Sequence, residues 1–325
     1  MAIKQIICGA IASITVSLFT ATPALAEVKI GLSDWPGWVA WYVAEKKGFF
    51  KKHHADVKLV WFANYTDSIS ALSAGQLDAN CQTWSDTLAP LAKGLPLKAI
   101  LVNDNSAGND ALMVSPKIKS FADLKGKTVA LEEFSVSHFV LVTALAKNGM
   151  SLADVKVTNL SAGDAAAAFL AGRVDAAVVW NPWVNQIQTS GKGKALFTSK
   201  DMPGLIPDLL VAQEKAIQEK RKHFIGMIRA WYDTVAFIKA KPDEAAQIMS
   251  KVVDMKPEEY KVFLPGTKFF GEKEVLAALD EKNPSSLIAV APTIQKFLLD
   301  NKLMEGTPDI VKGIDASLVR EAAKK

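Results

Sequence analysis

Cysteine is nearly absent from this sequence, which has two, Cys8 and Cys81, in 325 residues. Since Cys8 lies in an apolar N-terminal segment that we expect to be removed, Cys81 remains alone and no internal disulfide is expected. Histidine is also scarce, at four residues, and none has the spacing typical of a metal cluster. The net charge of +4 includes no dense basic block, which argues against nucleic-acid binding. We therefore expect no metal, no cofactor and no nucleic-acid partner.

The N-terminal segment has the organisation of a secretory signal peptide. Lys4 is the only charged residue before Glu27, and an apolar run covers residues 6–19. This run is shorter than the roughly 20 residues that a membrane-spanning helix needs. The small-x-small sequence Ala24-Leu25-Ala26 then predicts cleavage after Ala26. We expect a periplasmic protein with 299 residues (325 − 26).

Short apolar runs alternate with helical patterns over the first two-thirds of the chain. This alternation is typical of an α/β fold with mostly parallel, doubly wound sheets covered by helices on both faces. The predicted strands are 28–32, 57–62, a strand around Cys81, 97–102, 128–131, 155–160 and 176–179. The predicted helices are 39–47, 66–74, 86–93, 137–148 and 165–171. From Lys215 onward the pattern is almost wholly helical, with breaks near Pro242, Pro265 and Pro284.

An internal repeat divides the α/β part into two similar units. The sequence AGQLDA at 74–79 recurs as AGRVDA at 171–176, and ADVK occurs at both 55–58 and 153–156. In each unit a helix ends at a glycine and a short turn leads into a strand. The repeat predicts two lobes of similar architecture with a cleft between them. The predicted boundaries are 27–111 for the first part of lobe 1, 112–209 for lobe 2, and 210–325 for the return to lobe 1 with a helical C-terminal part.

Aromatic, acidic and hydroxyl side chains follow the predicted strands directly. Ligands of open α/β sheets bind beyond the carboxyl ends of strands, so these side chains are candidate ligand-binding residues. The candidates are Trp35, Trp38, Trp84, Asp104, Asp110, Glu133, Ser137, His138, Trp180 and Trp183, with Asp34, Asp86 and Ser135 as a second group. A purely structural alternative stays open, since tryptophans also pack at interfaces and acidic residues also cap helices.

Arginine is missing from all of these segments. The four arginines are Arg173, Arg221, Arg229 and Arg320, and arginine is the usual side chain for fixing a carboxylate, sulfonate or phosphate. Tryptophan faces attract cations, and carboxylates accept hydrogen bonds without donating any. Six of the eight tryptophans, all except Trp61 and Trp231, lie in or beside these segments. The composition therefore favours a flat, donor-only cation such as guanidinium as the ligand.

Nucleophilic catalysis has little support in the sequence. Cys81 and His138 form a conceivable thiol dyad, but Cys81 lies in an apolar strand and no third group orients the pair. Gly126-Lys127-Thr128 resembles the end of a phosphate-binding loop, yet Phe121 occupies the position of the required first glycine. We expect a binding protein and not an enzyme.

Several segments resemble a known family of transport proteins. These are VKIGLSDWPGWVAWYVAEKKGFFKK, ALSAGQLDA, SFADLKGKTVALEE and AAVVWNPW. They are similar to the periplasmic solute-binding proteins of ABC importers for nitrate, sulfonate, taurine and thiamine precursors. Three further segments, SDWPGWVAW, TWSDTLA and LVNDNSAGND, resemble a branch associated with urea carboxylase gene clusters.

The resemblance implies a two-lobed periplasmic-binding-protein fold, with two hinge strands near 111–114 and 209–213 and a helical C-terminal third packed on lobe 1. It also implies a monomer that captures a small solute by lobe closure and delivers it to an ABC permease in the inner membrane. Guanidine is the first candidate for the solute, and urea is close behind. An aliphatic sulfonate, taurine or nitrate is the alternative, because Ser135 and Ser137 could hold an anion. An exported enzyme on the same fold is the alternative of a different class.

Overall fold

The apolar runs of the sequence form strands in the computed structural model, which describes residues 27–324. The predicted signal peptide, residues 1–26, lies outside the described residues. The strands are β1 (Val28–Leu32), β2 (Val57–Trp61), β3 (Ala79–Thr83), β4 (Leu97–Ser106), β5 (Asp110–Val114), β6 (Thr128–Leu131), β7 (Lys156–Asn159), β8 (Ala176–Trp180), β9 (Lys194–Thr198), β10 (Pro207–Gln213) and β11 (Thr267–Phe269). The predictions for β1 and β6 are confirmed residue for residue.

Helices connect these strands and form most of the C-terminal third, as predicted. They are α1 (Pro36–Val39), α2 (Trp41–Lys46), α3 (Phe49–Lys52), α4 (Tyr65–Ser73), α5 (Trp84–Ala92), α6 (Val136–Lys147), α7 (Ala162–Leu170), α8 (Trp183–Thr189), α9 (Glu214–Ala240), α10 (Pro242–Val252), α11 (Pro257–Lys261), α12 (Glu272–Ala278), α13 (Leu287–Asp300) and α14 (Ser317–Ala322). Pro242 opens α10 at a position where its missing N–H costs no helical hydrogen bond. No helix within residues 27–324 combines the length and the apolarity that crossing a membrane requires.

The strands form two sheets, one in each lobe. The order in the first sheet is β11-β4-β10-β3-β1-β2, and the order in the second is β7-β6-β8-β5-β9. β1 pairs in parallel with β2 and β3, while β10 is inserted antiparallel between β3 and β4. In the second sheet β5 is likewise inserted antiparallel between β8 and β9. Each sheet therefore has four strands in one direction and one reversed strand that the chain enters from the other lobe. The first sheet also has a second reversed strand, β11, at its edge, so both sheets are mixed.

The chain crosses between the lobes at 107–109 and at 199–206. The hinge strands expected near 111–114 and 209–213 correspond to β5 and β10, which directly follow these crossings. β4 continues to Ser106, four residues beyond the predicted strand end at 102. Asn109 fastens the first crossing to both lobes, since its amide accepts from Asn181 Nδ2 and donates to Phe263 O and Thr267 Oγ1.

The C-terminal helices pack against the first lobe. The indole of Trp231 in α9 lies 4.7 Å from that of Trp41, centroid to centroid, and both side chains are fully buried. Trp41 therefore belongs to the core and does not face the cleft. The α13 helix lies against α5, and its Phe297 ring also contacts Phe139 of the second lobe at 6.1 Å.

Candidate functional site

A small cavity lies between the lobes, where the facing edges of the two sheets meet. Its free volume of about 10 Å³ is near the minimum that holds one water molecule, so the lobes are closed over it. The residues that line it are Trp35, Trp38, Tyr65, Thr83, Asp110, Val136, Trp180, Ile206 and Asp208. None of these described lining residues is a lysine or an arginine. The cavity is therefore walled by aromatic rings and carries two carboxyl groups.

The reversed strands explain why Asp110 and Asp208 face this cavity. In each sheet the carboxyl ends of the parallel strands form the edge toward the other lobe. Because β5 and β10 run antiparallel to their neighbours, their amino ends reach the same edge. Asp110 begins β5 opposite Trp180, and Asp208 lies in β10 opposite Thr83 on one side and Asp104 on the other.

Three carboxyl groups at this edge are buried and incompletely bonded. Asp104, Asp110 and Asp208 are 0%, 3% and 1% exposed, and the Oδ2 atom of each has no hydrogen-bond partner among the described residues. Burial raises the pKa of Asp104 to about 8 and that of Asp110 to about 7, and it raises the pKa of Asp208 well above its usual range. The cluster therefore has buried acceptor oxygens that are stable only if they are protonated or accept a hydrogen bond from a bound ligand.

Asp104 lies behind Asp208, between Trp35 and Gly37. The Trp35 indole donates from Nε1 to Asp104 Oδ1 at 3.1 Å, which holds the carboxyl in one orientation. The main chain at Gly37 is so close that a Cβ atom there would lie 1.8 Å from Asp104 Oδ2. A glycine is therefore required at position 37 for the carboxyl to occupy this place.

Asp34 joins the two lobes across the outer rim of the cleft. Its carboxylate accepts from Trp180 Nε1 and from Trp183 Nε1, each at 2.7 Å, and both indoles belong to the second lobe. Desolvation raises the pKa of Asp34 to about 6, although both indole hydrogen bonds act in the opposite direction. Trp180 also packs edge-on against Tyr65 of the first lobe, with ring centroids 5.8 Å apart. Asp34 therefore stabilises lobe closure, and both of its oxygens are already in use.

Asp86 joins the lobes at the amino end of α6. Its Oδ2 atom accepts from the Val136 N–H at 3.1 Å and from the Tyr65 hydroxyl at 2.8 Å. The amino end of a helix favours a negative charge, and here the protein's own carboxylate lies against it. Burial is the largest influence on the Asp86 carboxyl and raises its pKa to about 6. Nearby, Glu132 Oε1 accepts from both the backbone and the hydroxyl of Thr66, each at 2.7 Å, which adds another contact between the lobes.

The predicted polar residues of α6 are buried near this junction and lie outside the cavity lining. Ser135 caps the helix by accepting from Ser137 N, and it donates to Glu132 O at 2.7 Å. The hydroxyl of Ser137 has no partner among the described residues. Desolvation lowers the pKa of His138 to about 4, so the imidazole is neutral at pH 7. Its Nδ1 atom accepts from Phe134 N at 3.3 Å, which assigns the ring proton to Nε2.

Two further predicted residues, Trp84 and Glu133, also lie away from the cavity. The Trp84 indole is fully buried and donates to Leu287 O of α13, so it attaches the C-terminal helix to the first lobe. Glu133 is partly exposed, and its backbone N–H donates to Asn159 Oδ1. The neighbouring Glu132 reaches the facing lobe in its place.

Sequence reasoning missed Asp208 altogether. Only residues that follow strands were considered, whereas Asp208 lies near the start of a strand. The only feature in the sequence that could have identified it is its position, an acidic residue directly before the apolar run LLVA. Such a residue lies at the cleft edge only if the strand that follows it runs antiparallel to its neighbours. Tyr65 was also passed over, although it follows β2 and both its ring and its hydroxyl contact site residues. No group of three or more His, Cys, Asp or Glu side chains within residues 27–324 is arranged to hold a metal ion.

Comparison with known proteins agrees with this architecture. A relative from Brucella abortus (strain 2308), whose name refers to binding and specifies no ligand, is 30% identical over 243 residues, which cover 72% of this chain and 74% of the relative. The alkanesulfonate-binding protein of Xanthomonas axonopodis pv. citri, solved with MOPS bound, superimposes with a TM-score of 0.77 at 18% identity, covering 90% of this chain and 98% of that one. The periplasmic nitrate-binding protein of Synechocystis PCC 6803 gives a TM-score of 0.71 at 17% identity, covering 92% and 88%.

The structural matches confirm the two-lobed α/β periplasmic-binding-protein fold. The match at the level of sequence is more specific, because the profile of the family described as NMT1/THI5 like covers residues 35–245. That span includes every predicted site residue except Asp34, together with Asp208. This chain belongs to the NMT1/THI5-like family.

Proposed function

We propose that this protein is the periplasmic solute-binding subunit of an ABC importer and that it captures a small guanidinium-type cation between its lobes. The observation that carries the proposal is the set of three buried, unpartnered carboxyl oxygens on Asp104, Asp110 and Asp208. No lysine or arginine is present among the described residues that line the cavity. A buried carboxylate is costly unless a cation or several donors accompany it, and a donor-only cation supplies both.

The walls of the cavity suit a flat cation. Trp38 lies 5.0 Å from Tyr65 and 6.4 Å from Trp35, centroid to centroid, so several ring faces and edges surround a small space. Aromatic faces attract guanidinium and ammonium groups by about 0.5–2 kcal/mol, with the larger values where water is excluded. The cavity has room for about one water molecule in this closed form, so even a solute of a few heavy atoms requires the lobes to separate slightly, and a solute with a long tail requires a larger separation.

The junction at α6 argues against an anionic solute. In this chain the carboxylate of Asp86 already accepts from Val136 at the helix terminus, the place that best suits an anion. An added sulfonate or nitrate there meets like charge from Asp86 and Glu132 without any arginine to compensate. Relatives named for alkanesulfonate and nitrate binding nevertheless make such an anion the second candidate.

Urea is the closest competitor to guanidinium. One donor in the cavity, Trp38 Nε1, is buried without a partner among the described residues, and the carbonyl oxygen of urea could accept from it. The described cavity lining has this one free donor and two carboxyl groups, Asp110 and Asp208, and that balance favours a ligand whose polar atoms all donate. Guanidinium also supplies the positive charge that this acidic cluster needs.

In the proposed mechanism the solute enters an open cleft and closes the lobes by contacting both of them. Asp208 and Trp35 are contributed by the first lobe, and Asp110 and Trp180 by the second, so only the closed form makes the full set of contacts. A ligand shifts such an equilibrium by its differential affinity for the closed state. We further propose that the closed monomer then docks on the permease.

Calorimetric titration of refolded, ligand-free protein tests this proposal, with guanidinium, urea, taurine, an alkanesulfonate and nitrate each at low millimolar concentration. We expect tight binding of guanidinium and weaker binding of urea. Binding of sulfonate or nitrate without guanidinium would transfer the assignment to the anion receptor. Recovery of the bound solute unchanged distinguishes a receptor from an enzyme, which would release a product.

A further inference from the structure

Asp104 and Asp208 form a carboxyl pair that no neighbouring donor completes. They face each other across the β4–β10 ladder, close enough for their side chains to hydrogen bond. The Trp35 indole occupies Asp104 Oδ1, while Oδ2 of Asp104 and Oδ2 of Asp208 have no donor among the described residues. Two ionised carboxylates only accept hydrogen bonds, so an adjacent buried pair is stable only with a proton or a donor between them.

We propose that Asp104 and Asp208 hold one shared proton when no solute is bound, and that a cationic solute displaces this proton by binding to Asp208, so that capture is coupled to proton release. The inference rests on the proposed function, since it requires a cationic solute. Asp208 lines the cavity and Asp104 lies behind it, so Asp208 is the member that the solute reaches. The proton leaves to solvent, and no other bond is made or broken.

The described groups around the pair provide no positive charge that could balance two ionised carboxylates. The titratable groups that act on it from adjacent elements are Asp110 of β5, Asp86 of α5, Cys81 of β3 and Tyr260 of α11. All of these are buried, and each one carries either no charge or a negative charge. Burial is the main cause that raises the pKa of Asp104 to about 8, and every ionised neighbour adds to it by opposing full ionisation of the pair.

Proton coupling has a defined pH dependence. Guanidinium keeps its charge throughout the accessible range, as the arginine side chain does. Binding requires the deprotonated pair, so affinity should rise with pH, by up to about tenfold per unit while the pair is protonated in the free protein. The rise should level off once the pH is high enough to ionise the pair in the free protein.

The test is calorimetry with guanidinium hydrochloride at pH 7 in buffers of different ionisation enthalpy, which counts protons released per solute. For the wild type we expect about one proton from the pair and up to about half a proton from Asp110, whose pKa is raised to about 7 by burial. Asp208→Asn places an amide donor beside Asp104 and should reduce the release to less than half. Asp110→Asn is the matched variant, because it also removes a cavity carboxyl but leaves the pair intact. It should lose only the share of the release that comes from Asp110 and retain the larger share, which comes from the pair.

Difference infrared spectroscopy gives an independent readout of the proton. At pH 8, where Asp110 is mostly ionised, a carbonyl band of a protonated carboxyl should be present in the free protein, should disappear on adding guanidinium, and should be missing in Asp208→Asn. Tight guanidinium binding with no proton release and no such band would overturn the coupling while the proposed function stands. Failure of guanidinium to bind would overturn both.

Discussion

Replacing Asp110 with asparagine should weaken solute binding and stabilise the free protein at the same time. The carboxyl lines the cavity, is 3% exposed and leaves Oδ2 without a partner among the described residues. Asparagine keeps the shape of the side chain, but it loses the charge and turns one acceptor into a donor. The two consequences have opposite signs because the negative charge of Asp110 attracts the solute but destabilises the folded protein when no solute is bound.

The size of each effect follows from the environment of Asp110. A hydrogen bond to a charged group contributes about 1.5–3 kcal/mol, so the Kd for guanidinium should rise about 10- to 150-fold. Burial is the main reason that the pKa of Asp110 reaches about 7, and it makes the ionised form unfavourable in the folded state. At pH 8 the wild type carries this charge, and Asp110→Asn removes it. The variant should therefore unfold at a higher temperature than the ligand-free wild type.

Calorimetric titration and thermal unfolding at pH 8 measure the two effects on the same samples. Glu133→Gln is the control, since Glu133 is partly exposed and lies outside the cavity lining, and it should change the free energy of binding by less than about 0.5 kcal/mol. An unchanged Kd in Asp110→Asn refutes its role in binding. A lower unfolding temperature together with weaker binding also refutes the reasoning, because that combination indicates general damage to the fold.

Three further predictions address the rest of the site. Gly37→Ala should push the Asp104 carboxyl out of place, at a cost of about 1–3 kcal/mol, and titration should show weaker guanidinium binding with an unchanged circular dichroism spectrum. Asp34→Ala removes both interlobe hydrogen bonds to indoles, so X-ray scattering should show a larger radius of gyration with solute present; identical scattering and affinity would contradict this. The ligand-free protein should lose stability as pH rises from 5 to 8, because Asp104 and Asp110 have raised folded pKa values and are protonated only in the folded state. Denaturant titrations should give a slope of about 1.4 kcal/mol per pH unit for each such group, and a flat or rising profile would be the contrary result.

Local patterns in the sequence were sufficient for the elements and for most of the cleft edge. Apolar runs located β1 and β6 to the residue, and the repeat at 74–79 and 171–176 gave the two lobes. The rule that ligands lie beyond the carboxyl ends of strands selected Trp35 and Asp110, which both line the cavity. These predictions succeed because strand periodicity and helix ends depend on residues close together in sequence.

Tertiary structure decided which side chains meet. Asp208 became a site residue because β10 enters the first sheet reversed, and its pairing with Asp104 depends on a register between strands about a hundred residues apart. Trp84 follows a strand just as Trp35 does, yet it turns toward α13, since the C-terminal helices offer it a buried carbonyl. The sequence by itself determined the two lobes and the chemical character of the cleft. Strand direction, register and long-range packing selected the acids that face the solute, because no local pattern encodes contacts between distant segments.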